Sequence, residues 1–448
     1  MVVPEGRQGT RTVVGRLDLS AIEDWIVDGR TKGMPADVSP TRLADIGAMG
    51  WSVLRDDLPF PLATIRQSAV AHNSRWMRDF LKRTGAHIAP HGKTTMCPQL
   101  FQRQLDDGAW AVSVATAQQL KVCRDCGVGR VLMANQLVGR PEIRYVLDEL
   151  KRDPDFRFLT FVDSVFNVTK LADAARAASL DRPLEVLLEI GFLGGRTGCR
   201  TIEDALDLAR WAKRSEPHVA LRGIAGFEGL LSRPTAAETE VAVTAFVDSL
   251  ASIARAVESE KLFADEGPLV LSAGGSGFFD IVIDRLSRIG LVRETLIVIR
   301  SGCYLTHDAQ MYRNLFGGVR RRNPRLSEIG PGLEPALEVW ARVQSRPEAG
   351  KAILGVGKRD ISFDIDLPAP VSWHRLGMRE PEPIPNGHRV TGLNDQHCHM
   401  AIPENSPLQF GDIVSFGISH PCTTFDKWQV LYVVDDARNV VGALKTFF

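Results

Sequence analysis

The chain has 448 residues, of which 54 are basic, 54 are acidic and seven are cysteine. This length allows two or three domains with a sizeable core, and the balanced charge gives no indication of a nucleic acid or an anionic membrane as partner. No apolar run reaches the roughly 18 residues of a membrane span, and the charged segment Met1–Arg16 lacks the apolar core of a signal peptide. A small, odd number of cysteines argues against a disulfide framework. We therefore expect a soluble, cytoplasmic protein.

Short apolar runs alternate with helix-like segments between about residues 87 and 302. The intervening segments, such as 141–151 and 165–178, carry apolar residues at a spacing near 3.6, which is typical of helices. Eight such units predict an α/β fold of the TIM type, a (β/α)8 barrel, with a doubly wound open sheet as the alternative. The predicted strands are His87–Ala89, Ala111–Ala115, Val131–Ala134, Phe158–Val162, Glu185–Ile190, Gly223–Phe227, Leu269–Ser272 and Leu296–Arg300.

Polar residues and glycines follow every one of these predicted strands. A (β/α)8 barrel keeps its chemistry at the carboxyl ends of its strands, so these loops are the candidate site. They include His91-Gly92-Lys93, Asn135-Gln136, Asp163-Ser164, Glu189-Ile190-Gly191, Glu228-Gly229, Ala273-Gly274-Gly275-Ser276 and Ser301-Gly302-Cys303-Tyr304.

The pattern changes after about residue 308, where alternating apolar runs are separated by Pro- and Gly-rich turns. This pattern predicts a C-terminal all-β domain. We therefore expect residues 1–60 to form an extension that packs on the β domain, residues 61–307 to form the barrel, and residues 308–448 to form the β domain.

Lys93 lies in the sequence Ala-Pro-His-Gly-Lys-Thr-Thr, directly after the first predicted strand. A lysine hemmed in by apolar groups at a strand end can lose its proton near neutral pH and act as an amine nucleophile. Taken alone, the pattern is more typical of a surface lysine in a turn, but the remainder of the chain favours a catalytic lysine.

Five segments in a fixed order give the chain a resemblance to a known family: 90–94 around the lysine, 189–198, 272–276, 300–304, and a C-terminal pair of histidine motifs. Together with a barrel followed by a β domain, they resemble the alanine-racemase-like, fold-type III pyridoxal-phosphate enzymes. The match is narrowest with the D-threonine aldolase and D-serine dehydratase family.

The resemblance implies that Lys93 carries pyridoxal phosphate as a Schiff base. The segment Ser272–Ser276 looks like a phosphate cradle, because successive glycines let backbone N–H groups converge on an anion and serine hydroxyls add donors. An ordinary Gly-rich turn is the alternative. The residues expected in this cofactor site are Ser272, Gly274, Gly275, Ser276, Gly302, Cys303 and Tyr304.

Two arginines are candidates to face the cofactor ring. Arg300 resembles in position the racemase arginine that lies beside the pyridine nitrogen and keeps it unprotonated. Arg196 is the second candidate, although an ion pair with Glu189 or Asp163 would explain it equally well.

The C-terminal domain contains Asp395-Gln396-His397-Cys398-His399 and, further on, His420-Pro421-Cys422. Members of the resembled family carry an acidic-x-His motif and then a His-x-Asp or His-x-Cys motif that binds a divalent metal. We expect His420 and Cys422 to be the ligands, since residues two apart on an extended segment point to the same side. Imidazole with thiolate favours zinc, with manganese as the alternative. His397 would then handle protons or contact the substrate carboxylate, although His397 with His399 is a competing metal pair.

The resemblance therefore implies a pyridoxal-phosphate- and metal-dependent lyase that acts on small D-3-hydroxy amino acids. A D-serine dehydratase activity, which yields a 2-oxo acid and ammonia, is favoured by the His-x-Cys motif. The alternative is D-threonine aldolase cleavage to glycine and an aldehyde. A non-catalytic pyridoxal-phosphate carrier is disfavoured by the β domain. The family also implies a homodimer whose interface holds the active site.

Overall fold

The computed structural model describes residues 15–448, so the expectation for Met1–Arg16 concerns a segment almost wholly outside the described residues. Residues 15–60 contact strands near the C-terminus: the Val53 N–H donates to Arg438 O, and the Tyr432 hydroxyl donates to Gly33 O. The first regular elements are α1 (Ser20–Glu23), β1 (Ile26–Val27), β2 (Thr41–Arg42), β3 (Leu62–Arg66) and α2 (Gln67–Thr84).

Eight parallel strands follow, and each overlaps a predicted strand. They are β4 (His87–Ile88), β5 (Val112–Val114), β6 (Arg130–Gln136), β7 (Arg157–Val162), β8 (Leu184–Ile190), β9 (Val219–Gly226), β10 (Leu269–Ser272) and β11 (Thr295–Ile299). Each pairs with its neighbour in the chain from β5 to β11, and β11 pairs with β4. A bridge between His91 and Ser113 joins β4 to β5, where the Ser113 N–H donates to Pro90 O at 2.9 Å. The sheet is therefore a closed (β/α)8 barrel and not the open doubly wound alternative.

The interior of the barrel is filled by side chains, as expected of this architecture. Small and large residues share this interior layer: Ala89, Ala111, Leu132, Leu159, Phe161, Leu187, Ala225, Val270 and Val298. The outer ring consists of α3 (Pro98–Asp106), α4 (Ala117–Asp125), α5 (Arg140–Arg152), α6 (Val165–Ala177), α7 (Ile202–Arg214), α8 (Ala236–Ser259), α9 (Phe279–Leu286) and α10 (Met311–Arg322). Because the interior is packed, any chemistry is confined to the loops at the barrel mouth.

The C-terminal domain is built almost entirely of strands. Its elements are β12 (Leu337–Glu348), β13 (Lys351–Leu354), β14 (Ala369–His374), β15 (Glu382–Pro383), β16 (Arg389–Leu393), β17 (Cys398–Ala401), β18 (Ile413–Gly417), α11 (Cys422–Phe425), β19 (Val430–Val434) and β20 (Val440–Lys445). The long strand β12 organises the domain, because it pairs antiparallel with β13, with β18 and with β3.

Both ends of the barrel differ from the expected boundaries at residues 61 and 308. β3 pairs with β12 and β19, so it belongs to the C-terminal sheet and not to the barrel. α10 packs on α2 through an edge contact between Trp76 and Phe316, and its Arg322 forms an ion pair with Asp280 of α9. The eighth strand, like the others, thus has a covering helix, and the barrel runs from α2 to α10.

Within residues 15–448, no helix combines the length and the apolar character needed to cross a bilayer.

Candidate functional site

Lys93 lies in a 3-10 turn, Gly92–Thr94, at the carboxyl end of the first barrel strand. Its side chain is exposed at the barrel mouth, so the apolar enclosure expected from the sequence is not found. The neighbouring groups are basic: burial, and then the charges of Lys93 and Arg300, lower the pKa of His91 well below its usual value. The lysine therefore lies exposed on the turn, with Arg300 and Arg196 close enough to act on the neighbouring His91.

The loops after the first and last barrel strands approach each other closely at Gly302. A Cβ atom at this position would lie 2.6 Å from Thr94 Oγ1 and 2.7 Å from His91 O. Only glycine allows that approach. The Nδ1 atom of His91 is buried there without a hydrogen-bond partner. Gly302, which the sequence placed in the cofactor site, therefore packs directly against the turn that carries Lys93.

Arg300 is buried and fixed at the base of the mouth. Its guanidinium donates to Ser272 Oγ at 2.7 Å and to Gly226 O at 2.6 Å. Burial lowers its pKa to about 10, while Glu228 and Glu189 favour the charged form. Arg300 is thus a rigid cation, and the Ser272 hydroxyl, which also donates to Val298 O, orients it and is not a free donor.

The glycine loop after β10 is already occupied by a carboxylate. Glu228, which is fully buried, accepts hydrogen bonds from the N–H groups of Gly274 at 3.0 Å and of Gly275 at 2.7 Å. These two amides were expected to cradle a phosphate. In the structure they bind the chain's own anion, and this fixes the loop in place.

Other donors remain at this end of the barrel. In the hydrogen bonds formed among residues 15–448, the backbone N–H groups of Ser276, Gly277 and Gly302 have no acceptor. They lie after the seventh and eighth strands and just before α9, which is where barrels of this type hold phosphate. Pyridoxal phosphate therefore fits the residues present, and the N–H groups of Ser276 and Gly302, rather than that of Gly274, would hold its phosphate.

Tyr304 points away from this phosphate region. It is buried, which raises its pKa well above the usual value, and its hydroxyl is hydrogen-bonded by Gln104 of α3. Its role is to anchor the loop after the last strand against the barrel wall.

Arg196 is exposed, and its guanidinium lies 4.9 Å from the centre of the Phe227 ring. Among the residues that the structure describes, it forms no ion pair with Glu189 or Asp163. Glu189 instead accepts from Gln136 Nε2, and Asp163 accepts from the Gly198 N–H. The structural alternative proposed for Arg196 is therefore not found, and its positive charge lies close enough to oppose the charging of Arg300.

His420 and Cys422 come together, but not by the geometry expected from the sequence. The segment is not extended, because Pro421 adopts helical angles (φ −55°, ψ −43°) and Cys422 opens the short helix α11. The two side chains nevertheless lie close enough for each to shift the pKa of the other. A tight helical turn, rather than strand alternation, brings these two candidate ligands together.

Cys422 also joins the C-terminal domain to the lysine turn. Its Sγ lies 3.5 Å from Thr94 Oγ1 and 3.9 Å from Cys303 Sγ. Hydrogen bonding with Cys303, and with His420 and Thr94, lowers the pKa of Cys422 well below its usual value, although burial opposes this. A thiolate, the form that binds metals, is therefore stabilised next to Lys93.

Asp364 orients the imidazole of His420, with 2.6 Å between Nδ1 and Oδ2. Burial opposes the charged imidazolium, but Cys422 and then Asp364 raise the pKa of His420 to about 9. With Nδ1 on a carboxylate, Nε2 is left as the metal donor, as in many zinc sites. Asp364 was not found by sequence reasoning, because nothing in its local pattern links it to His420.

Asp308 borders the same cluster. Its Oδ1 accepts from the N–H groups of Gln310, Tyr312 and Arg313 at the start of α10, whereas its buried Oδ2 has no partner. Burial raises the pKa of Asp308 to about 6, and the charge of His420 opposes the shift. The cluster thus combines two thiols, an imidazole and carboxylates at one side of the barrel mouth.

The earlier histidine motif lies apart from this cluster. His397 is exposed in the turn between β16 and β17, and it makes no hydrogen bond to His420 or Cys422. His399 Nε2 is bonded to Asn394 Oδ1 at 2.6 Å. The two imidazoles are therefore not arranged to share one ion, and within the single chain His397 does not reach the candidate site.

In the described part of the chain, no three His, Cys, Asp or Glu side chains are gathered as a complete metal cage. The donor set nevertheless suits a divalent metal, because a stabilised thiolate and a carboxylate-oriented imidazole lie side by side. The residues present therefore fit a metal held by few protein ligands.

Comparisons with known proteins support the fold that carries this site. Residues 65–270 match the family described as Alanine racemase, N-terminal domain, and residues 336–434 match the family described as Putative serine dehydratase domain. A D-threonine aldolase from Arthrobacter sp is 24% identical over 367 residues, which cover 81% of this chain and 86% of that protein.

Two solved structures show the same fold. D-threonine aldolase from Filomicrobium marinum has a TM-score of 0.71 at 22% identity and covers 91% of this chain and 98% of its own. D-threo-3-hydroxyaspartate dehydratase from Delftia sp. HT23 has a TM-score of 0.65 at 19% identity and covers 88% and 99%. The two matched domains occur in the order of the predicted motifs, and together with these relatives they support the resemblance to the D-threonine aldolase and D-serine dehydratase family of alanine-racemase-like, fold-type III pyridoxal-phosphate lyases.

Proposed function

We propose that this protein is a metal-dependent lyase that eliminates water from D-3-hydroxy amino acids, with D-serine as the favoured substrate class. The observation that carries the proposal is the contact between the two candidate centres. Cys422 Sγ lies 3.5 Å from Thr94 Oγ1, and Thr94 directly follows Lys93. Lys93 would act at Cα and the metal held by Cys422 at Cβ of one small substrate, so the two groups must lie this close together.

Lys93 is the residue that would hold pyridoxal phosphate covalently and later act as base. When bound, the cofactor supplies an electron sink that makes the Cα proton of an amino acid acidic. The Lys93 amine, when free and neutral, would be the base that takes this proton. Arg300, held by Ser272 and Gly226, provides a fixed cation beneath the mouth, and Arg196 provides a second, exposed one.

His420 and Cys422 are the residues that would hold the metal. A divalent cation there would act as a Lewis acid on the β-hydroxyl, which is otherwise a poor leaving group. Imidazole with thiolate favours zinc, and manganese is the alternative. A related dehydratase of the same fold has been described in a metal-free form, which indicates that that enzyme binds a metal.

D-threonine aldolase activity is the second candidate, and the Arthrobacter relative favours it. That reaction needs a base at the β-hydroxyl and breaks the Cα–Cβ bond, which gives glycine and an aldehyde. We favour dehydration because the second motif of this chain is His-x-Cys, and because residues 336–434 match a serine dehydratase family. Elimination would leave an enamine that hydrolyses to a 2-oxo acid and ammonia.

A homodimer is part of the proposal. His397 is exposed and contacts none of the candidate metal ligands within its own chain. If it handles protons or binds the substrate carboxylate, a second copy must bring it to the barrel mouth. The same arrangement would cover the exposed Lys93.

The experiment that tests the proposal is a product analysis. Purified protein with pyridoxal phosphate and zinc is incubated separately with D-serine, D-threonine and D-threo-3-hydroxyaspartate, and with L-serine and L-threonine as stereochemical controls. Dehydration yields pyruvate, 2-oxobutyrate or oxaloacetate with an equal amount of ammonia. Glycine with acetaldehyde from D-threonine would assign the aldolase instead, and no turnover of any D-substrate would refute both.

A further inference from the structure

Two sulfur atoms from different domains meet beside Lys93. Cys303 belongs to the 3-10 turn after the last barrel strand, and Cys422 opens α11 of the C-terminal domain. Their Sγ atoms are 3.9 Å apart, and both cysteines are free thiols. A disulfide bond would require a separation of about 2.05 Å. Two thiolates on one tetrahedral zinc, each with a zinc–sulfur bond of about 2.3 Å, lie about 3.8 Å apart.

We propose that Cys303 is a third protein ligand of the metal, which it shares with His420 and Cys422. This inference rests on the metal site of the proposed function and extends it. It makes the site a two-sulfur, one-nitrogen site with an open position, a set typical of catalytic zinc. Such a set selects thiophilic cations over manganese or magnesium, which prefer oxygen ligands.

The surroundings of Cys303 support a ligand rather than a packing role. Its Sγ lies 3.9 Å from Thr94 Oγ1, and the Cys422 thiol donates to the same oxygen at 3.5 Å, so one hydroxyl contacts both sulfurs.

His420 would complete the set by a small movement. Its Nδ1 is fixed by Asp364, which leaves Nε2 as the free donor. Because no three such side chains form a complete cage in the described residues, the three ligands would have to close around the ion when it binds. The sulfur pair is preformed, since it is held between two rigid loops.

The test begins with the unaltered zinc-loaded protein. X-ray absorption fine structure should show two sulfur neighbours around zinc, and one or none would overturn the inference. Cobalt-substituted protein should show thiolate charge-transfer absorption that falls by about half in Cys303→Ser, because one of two thiolates is lost. Cofactor absorbance and circular dichroism establish that each variant is folded and loaded.

Zinc affinity, measured by competition with a chromophoric chelator, provides the second readout. Cys303→Ser and Cys303→Ala should both weaken binding by more than about 100-fold, since even the partners of metal ligands are worth 10- to 100-fold. Cys398→Ala, a buried cysteine in β17, is the matched control and should leave affinity unchanged. If Cys422→Ser abolishes binding while Cys303→Ser does not, this inference fails and the metal site stands. If the unaltered protein binds no zinc, the metal part of the proposed function fails as well.

Discussion

The carboxylate of Asp364 holds the imidazole of His420, with 2.6 Å between Oδ2 and Nδ1. The same carboxylate accepts from the Thr423 hydroxyl at 2.7 Å, so its own position is fixed. Asp364 lies in the long connection between β13 and β14, far along the chain from His420. The connection thus positions a candidate metal ligand without being one itself.

Asp364→Asn should weaken zinc binding by about 10- to 100-fold, because a neutral amide no longer orients the imidazole or raises its basicity. The measurement is chelator competition on the folded protein, together with the cofactor absorbance, which should not change. Asp426→Asn, an exposed carboxylate after α11, is the matched control. Equal affinities in the two variants would show that Asp364 has no part in positioning His420.

Removing the metal should separate catalysis from cofactor binding. A chelator is expected to stop elimination while leaving the cofactor attached, since Lys93 and the loops after β10 and β11 belong to the barrel. Cys422→Ala should behave like chelation, with a large loss of turnover and near-normal cofactor absorbance. His399→Ala should have little effect, because its imidazole is bonded to Asn394. Full metal occupancy in Cys422→Ala with none in His399→Ala would move the site to the earlier motif.

Lys93→Ala should lose the covalent cofactor and the activity that depends on it. Borohydride reduction followed by peptide mass spectrometry measures the attachment directly. Lys82→Ala, at the end of α2, is a control that should keep the adduct on the peptide that contains Lys93. An adduct found on another lysine in Lys93→Ala would refute the assignment.

If the active site is shared between two copies, the inactive variants Lys93→Ala and His397→Ala should complement each other. A mixed dimer then contains one site with an intact Lys93 from one chain and an intact His397 from the other. Co-expression followed by purification through two different tags should restore activity. An active monomer in solution scattering, or mixed dimers as inactive as either parent, would contradict this arrangement.

The barrel could be predicted because its signals are local. Alternation of strand-like and helix-like periods identified all eight strands, and only their ends differ from the prediction. In the C-terminal domain the sequence predicted only an all-β domain, and Pro370 in β14 and Gly392 in β16 interrupt the local strand pattern. The pairing of β3 with β12 is a long-range relationship, which no local pattern contains.

The site shows the same division. Residue types and motif order led to Lys93, Arg300 and Cys422 as candidates, because each lies at a strand end or in a distinctive short motif, and all three lie at the same end of the barrel in the structure. Glu228 was noted only as a polar strand end, and its hold on Gly274 and Gly275 arises from tertiary packing. The helical turn at Pro421 also could not be predicted, because two residues that are two positions apart, such as His420 and Cys422, can come together in a strand or in a tight turn.

His307 should make the fold sensitive to acid. It is buried, its Nε2 has no hydrogen-bond partner, and burial lowers its pKa from 6.5 to about 4. Between these two pKa values the unfolded chain binds a proton that the folded protein does not, so stability falls as pH decreases from 6.5 toward 4. The shift corresponds to a loss of roughly 3 kcal/mol in the free energy of unfolding. This loss is complete only below the pKa of His307 in the folded protein.

His307→Asn should remove this loss. Asparagine accepts the left-handed backbone at this position (φ 47°) better than most residues. The pKa of Asp308 is raised to about 6, so its protonation stabilises the folded protein as pH falls below 6. Both proteins contain Asp308, so this contribution cancels in the comparison. Urea unfolding above pH 6.5 and near pH 4 gives the free energy of unfolding of each protein at both ends of the window. The variant should lose about 3 kcal/mol less than the parent on acidification; equal losses would mean that His307 is not buried in its neutral form.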